Sequence, residues 1–144
     1  MDFMNLAVDE AKKALEQNEV PVGCVIVSGG CVVAASHNTT EENSDCTCHA
    51  EMNAIKAAAA ATGEKYLDKY EMYVTLEPCA MCTGAIINSR IKRVYIGAPE
   101  PRTGCCGTAA NIVSELKLKI PEIYIGIHEE ECGKIMKKFF ESKR

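Results

Sequence analysis

Residues 71–97 read EMYVTLEPCAMCTGAIINSRIKRVYIG, and this stretch decides the fold. Its first six residues are rich in β-branched and aromatic side chains, which suit a strand. Small and apolar residues then run for helical length from Cys79 to Ser89, and Pro78 suits a helix start, where a missing N–H has no intrahelical partner anyway. Residues 93–97 are strand-like again. A strand, a helix and a strand in so short a span imply a parallel crossover, and with it an α/β protein.

Working outward, residues 2–18 carry Phe3, Leu6, Ala7, Ala11, Ala14 and Leu15 at the spacing of one helix face, so a core-facing helix opens the chain. Residues 23–27 and 31–35 are β-branched-rich runs separated by Ser28, Gly29 and Gly30, which reads as a hairpin. Residues 37–48 are polar and expected to form a loop. Met52, Ile55 and Ala59 recur at helical spacing in an alanine-rich stretch starting near His49, and Gly63 offers a C-terminal cap. Residues 99–107 read as a turn-rich loop, 122–127 as a short strand and 129–142 as a final helix. No repeat, linker or low-complexity tract interrupts the 144 residues, so one domain over 1–144 is expected.

No apolar run approaches the ~18 residues of a membrane span, and the opening MDFMN lacks the basic-then-apolar pattern of an export signal. Nine cysteines without such a signal point to metal binding and buried thiols rather than disulfides. The expectation is a soluble, cytoplasmic protein, also nuclear if the cell is eukaryotic. The net charge of −4 is unevenly spread: residues 1–89 hold 5 basic and 13 acidic side chains, residues 90–144 hold 11 and 7. Lys134, Lys137, Lys138, Lys143 and Arg144 crowd the last stretch against one acid, Glu141. That density suits phosphate contact, although cations also favour helix C-termini for their own sake.

Two short motifs carry the chemistry: His49-Ala50-Glu51, and Pro78-Cys79-Ala80-Met81-Cys82 about thirty residues later. Cysteines at i and i+3 lie on the same side of a helix, and a helix N-terminus favours their thiolates. His49 completes a Cys₂His set for zinc, and three protein ligands leave the fourth tetrahedral position open to water that ionises near neutral pH. Glu51 follows His49 by two positions, an offset of about 200° in a helix interior, so both reach one site only at a helix start. There the carboxylate can relay protons from water to a substrate ring and a leaving amine, whereas alone it would read as a charge favoured by the helix dipole. A structural Cys₃His site closed by Cys46 or Cys48 is the competing arrangement, and it would abolish catalysis. His37 and His128 have no ligand partner at useful spacing.

His-x-Glu followed by Pro-Cys-x-x-Cys is the general signature of zinc deaminases. Around it, Val20-Pro21-Val22-Gly23, His37-Asn38, residues 73–82, Gly84-Ala85-Ile86 and Ser89-Arg90 resemble the tRNA-specific adenosine deaminases, and the similarity runs from about Phe3 to the C-terminus. Residues 18–24, Cys106-Gly107 and Asn111-Ile112 resemble the eukaryotic catalytic subunit slightly more than the bacterial enzyme. The resemblance implies a three-layer α/β/α cytidine deaminase-like fold around a mixed sheet of about five strands. It implies one Zn²⁺ per subunit on His49, Cys79 and Cys82, with Glu51 catalytic, and conversion of adenosine to inosine at the tRNA wobble position. The partners it implies are the anticodon stem-loop and a second subunit, identical or degenerate.

Carried over by position, the resemblance also makes Asn38 a contact to the target nucleotide, with Val22 against the adenine and backbone groups of Ala50, Pro78 and Cys79 around the reacting carbon. Asn38 read by itself is equally a turn residue. Glu100, where bacterial members carry Asp, and Arg102 would lie beside the RNA. Phe140 would stack on a flanking base, while Phe139 continues the stripe of Cys132, Ile135 and Met136 and is expected in the core. Two alternatives stay open: a deaminase of free cytosine, cytidine or guanine, and a non-catalytic zinc-binding partner subunit, which would typically lack Glu51.

Overall fold

The β-branched runs form strands that are buried in the middle of the sheet and exposed at its edges. The computed structural model describes residues 1–143; Arg144, the last of the basic residues, lies outside them. Strands β1 (Gly23–Ser28), β2 (Cys31–His37), β3 (Glu71–Leu76), β4 (Arg93–Ala98) and β5 (Glu122–Ile125) form one sheet in the order β2-β1-β3-β4-β5. β1 runs antiparallel to both β2 and β3, and β3, β4 and β5 are mutually parallel. The sheet is thus mixed, and β3-α3-β4 is the crossover read from residues 71–97, with α3 spanning Ala80–Ser89. Gly29 and Gly30, at φ of 56° and 77°, make the two-residue hairpin between β1 and β2.

Helices cover both faces. α1 (Phe3–Glu16) and α5 (Glu129–Ser142) pack on one, enclosing Met4, Val8, Val25, Val27 and Cys132. α2 (Ala50–Thr62) and α3 pack on the other, over Cys24, Ile26, Met72, Val74 and Ile96. This is the three-layer α/β/α arrangement. α4 is a single turn at Ile112–Glu115, too short for its apolar spacing to stand out in the sequence.

Three details differ from the sequence expectation. The buried face of α1 is Met4, Ala7, Val8, Glu10, Ala11 and Ala14, rotated away from Phe3, Leu6 and Leu15, which are half-buried at its edge. The core face of α2 is Ala50, Ala54 and Ala58, while Met52, Ile55 and Ala59 are only half-buried. Small residues let that helix lie close to the sheet, and their weak hydrophobicity hides them in a periodicity count. Finally, α3 begins at Ala80 with Cys79 as its N-cap, so Pro78 stands before the cap rather than in the first turn.

Candidate active site

The N-terminal ends of α2 and α3 meet on one side of the sheet, and each contributes its N-cap residue to the same point. His49 caps α2 with extended backbone (φ −69°, ψ 155°), and Cys79 caps α3 likewise (φ −74°, ψ −178°). An extended cap is released from the helical 100° step, so His49 and Glu51 can face one site although they are two residues apart. Cys82, one turn into α3, completes the group.

His49 Nδ1 lies 3.6 Å from Cys79 Sγ and 3.5 Å from Cys82 Sγ. Zinc bonds of ~2.3 Å to sulfur and ~2.0–2.1 Å to nitrogen at tetrahedral angles put sulfur and nitrogen about 3.5–3.6 Å apart. The donor set and its spacing therefore fit zinc. Among the described residues these three side chains form the one His/Cys/Asp/Glu group whose candidate ligand atoms lie within 4.8 Å of one another. The Cys₃His rival has no fourth thiol there: Cys46 is exposed, and Cys48 is buried, accepting a hydrogen bond from Asn43 Nδ2.

Electrostatically the site is set for a cation. The hydrogen bond from Cys82, with one from His49, holds the Cys79 thiol down at about 3, whereas Cys82 is pushed far up by that same bond and by burial. A bound Zn²⁺ would favour the thiolate form of both. The hydrogen bond to Cys79 also raises His49. Glu51 is 4% exposed, and desolvation lifts its carboxyl to about 7.

These groups open into a cavity of about 250 Å³. His49, Ala50, Glu51 and Cys79 line it, and Val20, Val22, Asn38 and Thr40 form one wall. Leu76, Glu77, Glu100 and Thr103 form another wall, and Met136 and Phe140 of α5 complete the lining. Asn38 is buried; its Nδ2 donates to Val20 O at 3.2 Å and its Oδ1 accepts from Thr40 N at 3.3 Å. It therefore closes the turn after β2 while still facing the cavity. Phe139 is buried and Phe140 is 43% exposed, as their positions on the helical stripe anticipate.

Two expected contacts fall outside the lining. Pro78 is buried, and its carbonyl accepts from Cys105 N at 2.9 Å and from Thr83 Oγ1 at 3.4 Å. Arg102 is exposed; its backbone N–H donates to Glu100 Oε1 at 3.0 Å. His37 hydrogen-bonds Glu10 and Gln17, and His128 pairs with Asp2 at 2.7 Å, so both serve the fold. The sequence reading missed Thr40, Thr103 and Met136, which carry no motif of their own. It also missed two buried carboxylates, Glu19 and Glu77, which hold the loops of the two walls. Glu19 accepts from Glu41 N at 2.9 Å and Glu42 N at 2.7 Å.

Residues 1–98 match the family described as the cytidine and deoxycytidylate deaminase zinc-binding region. Fold and site together define a zinc-dependent deaminase, a hydrolase with one Zn²⁺ per subunit. The chain is 43% identical over 143 residues to the tRNA-specific adenosine deaminase of Bacillus subtilis (strain 168), covering 99% of this chain and 89% of the other. It is also 43% identical to that of Agrobacterium fabrum (strain C58 / ATCC 33970), covering 99% and 94%. A solved structure from studies of A-to-I editing by tRNA:A34 deaminases at the wobble position of transfer RNA superposes with a TM-score of 0.89 at 42% identity, covering 92% of this chain and 97% of the other. The chain belongs to the tRNA-specific adenosine deaminase family.

Proposed function

We propose that this chain, acting as one domain over residues 1–144, hydrolyses the exocyclic amine of adenosine at the wobble position of tRNA anticodons, giving inosine and ammonia. The observation that carries the deamination is the buried Glu51, which lines one cavity with His49 and Cys79 of the zinc-binding group, and similarity to tRNA-specific adenosine deaminases over almost the whole chain supports the substrate. Held there, zinc supplies Lewis acidity that makes water nucleophilic near neutral pH. Glu51 takes one proton from the attacking water and delivers it to N1 as the oxygen adds to carbon 6; it then takes the proton remaining on that oxygen and passes it to the amine, which leaves as ammonia as the carbonyl of inosine forms.

The cavity is of a size for one extruded base, with Val22 against its face and the Asn38 amide at its edge. Glu100 borders the same space. Phe140 of the lining offers a stacking surface for a flanking nucleotide, and the exposed Lys137, Lys138 and Lys143 of the C-terminal segment supply charge for the phosphates. Arg102, exposed on the neighbouring loop, adds to that charge. The Pro78 backbone acts one step removed, through the loop it holds. The working unit is a dimer, of identical chains or with a degenerate partner, for which exposed Leu116, Leu118 and Ile120 supply apolar surface. The reading includes a cytoplasmic setting, where tRNA is met and thiolate ligands stay reduced.

The purified protein, incubated with an anticodon stem-loop carrying wobble adenosine, should form inosine and leave free cytidine and guanine untouched. Deamination of either control without inosine would favour the free-base reading. Full zinc with no turnover on any of the three would favour the non-catalytic partner.

A further inference from the structure

Glu77 directly follows β3 and precedes the Pro78-Cys79 corner, and it is 3% exposed. Its Oε1 accepts from Glu100 N at 3.1 Å, and its Oε2 accepts from Cys106 N at 3.0 Å and Thr108 N at 3.1 Å. Among the described residues no lysine, arginine or histidine pairs with it. A buried carboxylate is thus spent entirely on three backbone donors of one irregular loop. That loop supplies Glu100 and Thr103 to the cavity wall. Gly104 backs directly onto the clamp: a Cβ there would fall 2.4 Å from Glu77 Cδ and 2.6 Å from Glu100 O, so only glycine lets the loop wrap the carboxylate. Cys105 N ties the same loop to Pro78 O at 2.9 Å, beside the ligand Cys79.

We propose that Glu77 is a positioning residue, whose carboxylate fixes the 100–108 loop against the metal end of the cavity and so sets the wall that receives the substrate. This rests on the function proposed above. Irregular loops have no ladder to satisfy their N–H groups, and an acceptor-only side chain with two oxygens can hold three of them at once. Glutamine at this position offers one oxygen and one NH₂ group, and the NH₂ must meet at least one N–H donor head on. Loop contacts that hold substrate equally in the ground and transition states would, when lost, weaken binding rather than the chemical step.

Glu77→Gln should therefore keep one zinc per chain, raise KM for the stem-loop on the order of tenfold and change kcat by less than about threefold. Amide hydrogen exchange, read by NMR, should show the Glu100, Cys106 and Thr108 amides protected in the unmodified protein and at least one of them deprotected in the variant. A variant that loses zinc or kcat with KM unchanged, or that keeps all three amides protected, overturns the proposal. Should Glu77→Gln not fold, the unmodified protein still decides, since fast exchange at those three amides overturns the clamp and slow exchange supports it. If the unmodified protein makes no inosine, the functional reading falls, and the exchange measurement continues to test Glu77 separately.

Discussion

Exchanging Glu51 for Gln keeps the shape of a side chain that is 4% exposed while removing its capacity to carry a proton. The loss is set by what else in the cavity could substitute. Glu77 is engaged by three backbone N–H groups, and Glu100 Oε1 accepts from Arg102 N. His49 is turned by its Nδ1 toward the two thiols. With each of these groups already engaged elsewhere, the effect should lie at the upper end of the ~10²–10⁴-fold range for proton-transfer groups. A 10⁴-fold fall corresponds to about 5.5 kcal/mol of lost transition-state stabilisation. Zinc should remain, because Cys79, Cys82 and His49 are untouched. The assay is single-turnover inosine formation on the stem-loop, paired with elemental analysis of the same preparation. Turnover within about tenfold of the unmodified protein at full metal content would remove Glu51 from the proton path. Loss of the metal would assign it to holding the site together instead.

Cys82→Ala removes one of two thiolates from a three-ligand set, and zinc stoichiometry should fall close to zero; full occupancy in the purified variant would refute the ligand assignment. Gly23→Ala would bring a Cβ 1.8 Å from Ala7 O and 2.6 Å from Ala11 N, so α1 must lift by roughly 1.5 Å to restore van der Waals contact. That overpacking should cost about 3 kcal/mol and lower the melting temperature by roughly 10 °C, and an unchanged melting curve would count against the packing of α1 on β1. Glu10 is desolvated, but hydrogen bonds from His37 and Lys13 outweigh the burial and hold its carboxyl below the usual value of 4.5. A depressed carboxyl stabilises the fold fully above its unfolded value, and the contribution is lost as pH falls through the folded one. Urea unfolding from pH 7 down to pH 3 should therefore weaken the unmodified protein more than Glu10→Gln, and parallel pH profiles would refute the linkage.

The sequence by itself determined what periodicity and short spacing encode. The strand-helix-strand crossover of residues 71–97, the hairpin closed by Gly29 and Gly30, and α5 at Glu129–Ser142 all follow from local patterns. So does the placing of Cys79 and Cys82 one helical turn apart. The union of His49 with those sulfurs was legible only as a motif, because the two helix starts are separated by about thirty residues and meet through the sheet. Tertiary structure alone decided the rest. The faces of α1 and α2 turned on packing against particular strands, where alanine fits closely and contributes little to an amphipathic pattern. The cavity walls depended on Glu19 and Glu77, whose partners are backbone N–H groups 22 to 31 residues away. A side chain that bonds to backbone selects no residue type in its partner. Such contacts therefore leave no periodicity or spacing in the chain, and they exist only once the loops have folded around the carboxylates.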